Sequence, residues 1–164
     1  YEQNSEVRPS YLSGRCDVYT TDASGLAATR STFPNPSNHM ILPEIISKEP
    51  LGPATRQGDD QWADIIRWIY NATVTAEEKG ITSANVQSML TANDPEILRL
   101  LGVEGSQGEE LGLSKDWAYQ VIKQVGNYGE IFERNIGINT PIGLARGLND
   151  LWTRGGLQYS PPFR

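Results

Sequence analysis

Apolar positions change rhythm near residue 59. Before it they come in short clusters; after it they recur at helical spacing. In the first part, residues 16–21 ("CDVYTT") suit a pleated surface and predict a short strand. Residues 5–13 predict a short helix ending at Gly14, with Pro9 in its first turn, where a missing N–H does no harm. Residues 24–31 predict a second short helix, and "FPNPSN" a turn. In "HMILPEIIS" Pro43 splits two apolar clusters, which favours an edge strand or extended chain. "EPLGPATRQGDD" is punctuated by Pro50, Gly52, Pro53 and Gly58 and marks a linker.

Beyond the linker, Trp62, Ile65, Ile66, Ile69, Thr73 and Ala76 fall on one face of a helix. Asp59 or Asp60 can cap its start, and Gly80 suits the position after its end. A shorter helix is expected from near Ser83, using Val86, Met89 and Leu90. The next has Asp94 as cap, Pro95 in its first position and Gly102 as stop. Residues 113–137 read as one long helix capped by Ser114. Gly126 and Gly129 mark close packing or a kink within it, since each costs roughly 1 kcal/mol against Ala. Residues 139–156 read as a last helix from Thr140 and Pro141 to Gly155 and Gly156, followed by an extended tail. Trp62, Trp68, Trp117 and Trp152, spaced on helical faces, read as core; "EEKG" and "QGEE" read as solvated charge. One or two strands cannot cover so many apolar faces. A sheet is therefore expected on a segment outside these 164 residues, the chain being an internal piece or the end of a longer protein.

Composition narrows the function. A net charge of −6 argues against a nucleic-acid or anionic-membrane partner, which would need a basic patch. No apolar run approaches the roughly 18 residues of a membrane span. The single cysteine, Cys16, is either a small buried hydrophobe or half of a disulfide to another segment. The single histidine, His39, cannot build a His-rich metal site. No "GxSxG" elbow accompanies it, so nucleophilic catalysis, a metal and a cofactor are all unexpected. One acid stands out. Asp22 follows Thr21, the last strand-like residue, and in parallel α/β sheets ligands sit beyond the carboxyl ends of the strands. It can cap the helix that follows, or hold a ligand's positive charge.

"YLSGRCDVYTTDASGLAATR", "ILPEIISKEPLGPATRQGDDQW", "VIKQVGNYGEIFERNIG" and "GGLQYSPPFR" closely resemble the periplasmic general L-amino-acid-binding proteins of bacterial ABC uptake systems, within the family 3 extracellular solute-binding proteins. The resemblance runs over essentially the whole chain and covers the C-terminal part of such a protein. It implies a partial α/β, helix-rich, type II periplasmic-binding-protein fold. Residues 1–52 would be the end of lobe two, 53–58 the return hinge, and 59–164 helices packing on lobe one. It also implies a periplasmic location, capture of a polar L-amino acid (acidic or amide) and delivery to the permease subunits in the membrane. Asp17 matches the acid of the family's "GR-x-D" motif, and Asp22, five residues on, matches the acid that anchors the ligand's α-amino group. Thr21 can lend a hydroxyl, although strand alternation would turn it to the opposite face. Arg15, Arg56 and Arg67 do not match the arginine that clamps the ligand's carboxylate. That clamp, and a cysteine partner for Cys16, would lie on the missing N-terminal half. The alternatives are an amino-acid-sensing module of the same fold and an independent helical interaction domain from residue 59 on.

Overall fold

Two short helices and an aromatic cluster organise the first part of the chain. The computed structural model describes residues 1–47 and 50–164, and its contacts divide into two units, Tyr1–Pro50 and Leu51–Arg164. Glu49, first residue of the expected linker, lies outside the described residues.

In the first unit, α1 spans Asn4–Leu12 and α2 spans Ala23–Ser31. Pro9 sits in the second turn of α1 and not, as expected, in the first; the helix closes past it through Ser13 N–H to the Pro9 carbonyl at 3.0 Å. Between α1 and the loop after α2, the Tyr11 ring stacks on Phe33 at 5.8 Å, and His39 meets Phe33 edge-on at 4.6 Å. Tyr11 Oη and His39 Nδ1 share a hydrogen bond of 2.8 Å, so the lone histidine is a packing residue. Residues 16–21 form no strand, nor do residues 39–47 among those described. A strand exists through its ladder partner, and neither stretch has one among the described residues. Met40 and Ile46 consequently stand 79% and 83% exposed.

The second unit is built around α3, Asp60–Glu78. Asp59 is its cap, accepting from the Trp62 N–H at 3.2 Å. The buried stretch of α3 is residues 71–76, where it packs against α7 (Trp117–Val125) and α8 (Tyr128–Asn135). Ala72, Ala76, Ile81, Leu100, Ala118 and Ile122 form the centre of this core. Within this unit the helices bury one another along these residues, and the sheet expected from the sequence belongs to a segment outside the 164 residues. Trp62 lies a full two turns before the buried stretch and is 50% exposed; Trp152 is 55% exposed. Of the four tryptophans read as core, only Trp117 is buried, with Trp68 half-buried.

Between α3 and α7 run three short helices: α4 (Val86–Met89), α5 (Pro95–Leu100) and α6 (Gln107–Glu110). The first starts later than Ser83 because the Asn85 side chain closes a turn on the Thr82 N–H at 2.7 Å. The Asp94 cap and Pro95 start of α5 are as read, with Asp94 accepting from Glu96 N–H at 2.9 Å. Helix α6 is the stretch "QGEE" read as solvated charge: Glu109 and Glu110 are exposed, while Gly108 is buried against the Ser114 carbonyl.

Residues 113–137 form two helices, not one. Gly126, at φ 85° and ψ −176°, occupies backbone space that only glycine enters readily, and it ends α7 outright. Asn127 then starts α8 with a capping box, exchanging 2.9 Å bonds with Glu130. Its Nδ2 also donates to the buried Ile81 carbonyl at 2.8 Å. Asn127→Ala removes both the cap and that bond, so it should lower the unit's stability by about 2 kcal/mol, measured as a shifted urea midpoint. A shift no larger than that of an exposed substitution would make the box decorative.

The last expected helix is absent. Gly143 and Gly147, at φ 65° and 49°, turn residues 139–156 away from right-handed helix, leaving 3₁₀ turns at Gly147–Asn149 and Trp152–Arg154. This arm is tied to α3 by charge. Glu77, its side chain 8% exposed, accepts from Arg146 Nη1 at 3.1 Å and Nη2 at 3.0 Å, and also from Arg154. The Arg146 guanidinium lies over Tyr128 and Phe132 at 5.3 and 5.2 Å. Residues 157–164 then return irregularly to the core, where Phe163 is 3% exposed and packs edge-on against Trp68 at 5.2 Å.

Candidate functional site

Asp22 stands where extended chain becomes helix. With φ −57° and ψ 148° it is outside α2, and its side chain reaches back over the first turn. Oδ2 accepts two hydrogen bonds, from Ser24 Oγ at 2.6 Å and from Gly25 N–H at 2.6 Å. Oδ1 has one long contact, from Thr21 Oγ1 at 3.4 Å. Capping therefore occupies one carboxylate oxygen and leaves the other nearly free. The Ser24 hydroxyl, and after it the Gly25 amide, hold the carboxyl below the usual carboxylate range. At neutral pH the site is a half-buried, oriented negative charge.

Thr21 is exposed, and its hydroxyl lies on the carboxylate side of the chain. The alternation that would have turned it away does not apply, since residues 16–21 are not a strand. Asp17 is exposed, and Cys16 is a half-buried free thiol. Arg67 pairs with its helix neighbour Asp64 at 2.5 Å. Ser24 and Gly25 were not singled out in the sequence. The spacing Asp-x-Ser-Gly is the signal, because a capping acid meets the second and third helical residues.

Among the described residues, no group of three or more His, Cys, Asp or Glu side chains is placed to hold a metal ion. The second unit carries an open cleft of about 430 Å³ lined by Trp68, Trp117, Phe163 and Gln107, and a smaller one of about 280 Å³ between Pro53, Thr55, Ile66 and Tyr70. Neither is lined by Asp22 or Thr21, the ligand-binding residues expected from the sequence. No described helix is long and apolar enough to cross a membrane.

No family model matches the chain. It is 60% identical over 166 residues to a general L-amino acid-binding periplasmic protein of Rhizobium johnstonii, covering 100% of this chain and 49% of that protein. It is 57% identical over 162 residues to a glutamate/glutamine/aspartate/asparagine-binding protein of Rhodobacter capsulatus, covering 98% and 48%. Among solved structures it is similar to an ABC transporter/periplasmic binding protein from Brucella ovis with glutathione bound, at 56% identity and a TM-score of 0.93, over 100% of this chain and 52% of that one. The chain spans about half the length of the curated relatives it matches. Identity of this order from end to end makes it a homologue of periplasmic amino-acid-binding proteins, and its fold is that of about half of a periplasmic binding protein.

Proposed function

We propose that residues 1–164 are the C-terminal half of the substrate-binding component of an ABC importer. The whole protein would capture polar L-amino acids in the periplasm between two lobes and deliver them to the membrane permease. The end-to-end identity of 57–60% to two amino-acid-binding proteins is the observation that carries this reading. Within it, residues 1–52 belong to lobe two, 53–58 to the hinge and 59–164 to helices on lobe one of a type II fold. The exposed Met40, Leu42, Ile45 and Ile46 are in keeping with a segment whose packing partners lie on the rest of lobe two.

Asp22 is the anchor for the ligand's ammonium group, through Oδ1, with Thr21 contributing a hydroxyl. An ammonium within hydrogen-bond reach of Oδ1 would form a charge-assisted bond roughly twice as strong as a neutral one. The arginine for the ligand's carboxylate and the disulfide partner of Cys16 belong to the other half. No bond is made or broken: ligand affinity biases the two lobes towards the closed arrangement that the permease recognises. Glutamate, glutamine and the glutamyl end of glutathione share one α-amino-acid head with a γ-carbonyl. A site that grips the head and tolerates variation beyond the γ-carbon accommodates all three.

A thermal-shift screen of the twenty amino acids and glutathione on the longer protein tests this. Stabilisation by the acidic and amide amino acids is expected; silence across the whole set would mean a different ligand class. The 164-residue chain by itself holds only one end of the ligand and should bind none of them tightly. Micromolar affinity for the isolated chain would refute the division of the site between two halves.

A further inference from the structure

We propose that Ser24 and Gly25 are positioning residues for the ligand's ammonium group: together they hold the Asp22 carboxylate by Oδ2 and keep the space beside Oδ1 clear. The inference rests on the reading of Asp22 as the ammonium anchor.

A carboxylate on a free aspartate turns about two side-chain bonds, and an ion pair to a mobile group loses much of its value to that motion. Here two donors at 2.6 Å, the Ser24 hydroxyl and the Gly25 amide, converge on the same oxygen. With Oδ2 fixed, the direction of Oδ1 is fixed as well, and Thr21 Oγ1 at 3.4 Å is its sole described neighbour by hydrogen bonding.

Gly25 contributes through what it lacks. A Cβ added there would stand 2.7 Å from Oδ1, 3.1 Å from Oδ2 and 3.2 Å from Cγ of Asp22. The closest clash is with the oxygen left open for the ligand. Backbone conformation does not call for glycine, since Gly25 lies in helix α2 without a positive φ. Alanine there would ordinarily favour the helix. A cap also needs no glycine three residues on, because it uses only the backbone N–H of that residue. Glycine at 25 is therefore explained by the room that the carboxylate occupies.

Titrating L-glutamine into the longer protein, calorimetrically, tests the proposal with Gly25→Ala, Ser24→Ala, Ser24→Thr and Asp22→Asn. Gly25→Ala should weaken binding about tenfold or more, and Ser24→Ala about three- to tenfold, the worth of one oriented hydrogen bond. Ser24→Thr, which keeps the hydroxyl, should bind nearly as well as the parent. The ligand-free melting temperatures should differ little. A pH series adds a second readout. The lowered Asp22 pKa keeps the anchor charged above it, so binding is lost only as pH falls through that lowered value. Without the Ser24 hydroxyl, that loss should begin at higher pH. Should Gly25→Ala destabilise the protein itself, the Ser24 pair and its pH series decide the matter. If Asp22→Asn abolishes binding while Gly25→Ala and Ser24→Ala bind like the parent, the positioning role is wrong and the anchor stands. If Asp22→Asn binds normally, the anchor reading fails and the positioning role goes with it.

Discussion

Asp22→Asn in the longer protein should reduce amino-acid affinity by tens- to thousands-fold. The substitution is nearly isosteric, and asparagine is as good a helix cap as aspartate, so α2 keeps its first turn. It removes one charge from an ion pair that would be desolvated by the bound ligand, a loss of about 2–5 kcal/mol. The variant thereby separates the two roles of Asp22: Oδ2 serves the helix through Ser24 and Gly25, and Oδ1 is the oxygen proposed for the ligand. Isothermal titration of the variant against glutamate and glutamine measures the difference. Unchanged affinity with an unchanged melting temperature would reduce Asp22 to a cap.

Glu77→Ala should be the most damaging single substitution in the second unit, at about 3–5 kcal/mol. Glu77 and Arg146 are both largely removed from water, with side-chain exposures of 8% and 13%. Their two parallel hydrogen bonds are the strong form of such a pair. Removing the carboxylate leaves the Arg146 guanidinium buried between α3 and α8 with the carboxylate of Asp150 at 3.6 Å as its remaining ion pair. Urea denaturation followed by the fluorescence of Trp68 and Trp117 reads the cost. Glu77→Met with Arg146→Met should recover much of the loss, since no unpaired charge is then buried. A single-variant loss under about 1 kcal/mol would class the pair with ordinary surface ion pairs.

Ser114, read as a cap, lies ahead of the helix start, since α7 begins at Trp117 after Asp116. Helix starts were legible from a cap and a periodic face at Asp59 before α3 and at Asp94–Pro95 before α5. Both signals act within one turn, so no distant residue can overrule them cheaply. Asp22 was legible for the same local reason, as an acid at an N-terminal boundary. Its division into a capping oxygen and an open one was not. That depends on which rotamer the Ser24 hydroxyl and the Gly25 amide select, and composition carries no record of it. The reading of four core tryptophans failed because a helical face is buried only along the length that another element covers. Trp62 lies on the right face of α3 but before the region where α7 and α8 cross it.

Residues 139–156 mark the limit most plainly. Thr140 and Pro141 supply a start signal, and Thr140 Oγ1 does accept from the Ile142 and Gly143 amides at 3.3 and 3.4 Å. The helix still does not propagate, because two glycines at positive φ and the pull of Glu77, 69 residues away from Arg146, lead the chain elsewhere. The sequence by itself determined the amphipathic run, its caps, the acidic balance and the position of Asp22, all of which follow from neighbours within about four residues. Tertiary structure alone decided the path of the arm and the burial of Phe163. Those outcomes turn on which partners meet in space, and a one-dimensional pattern does not contain that information.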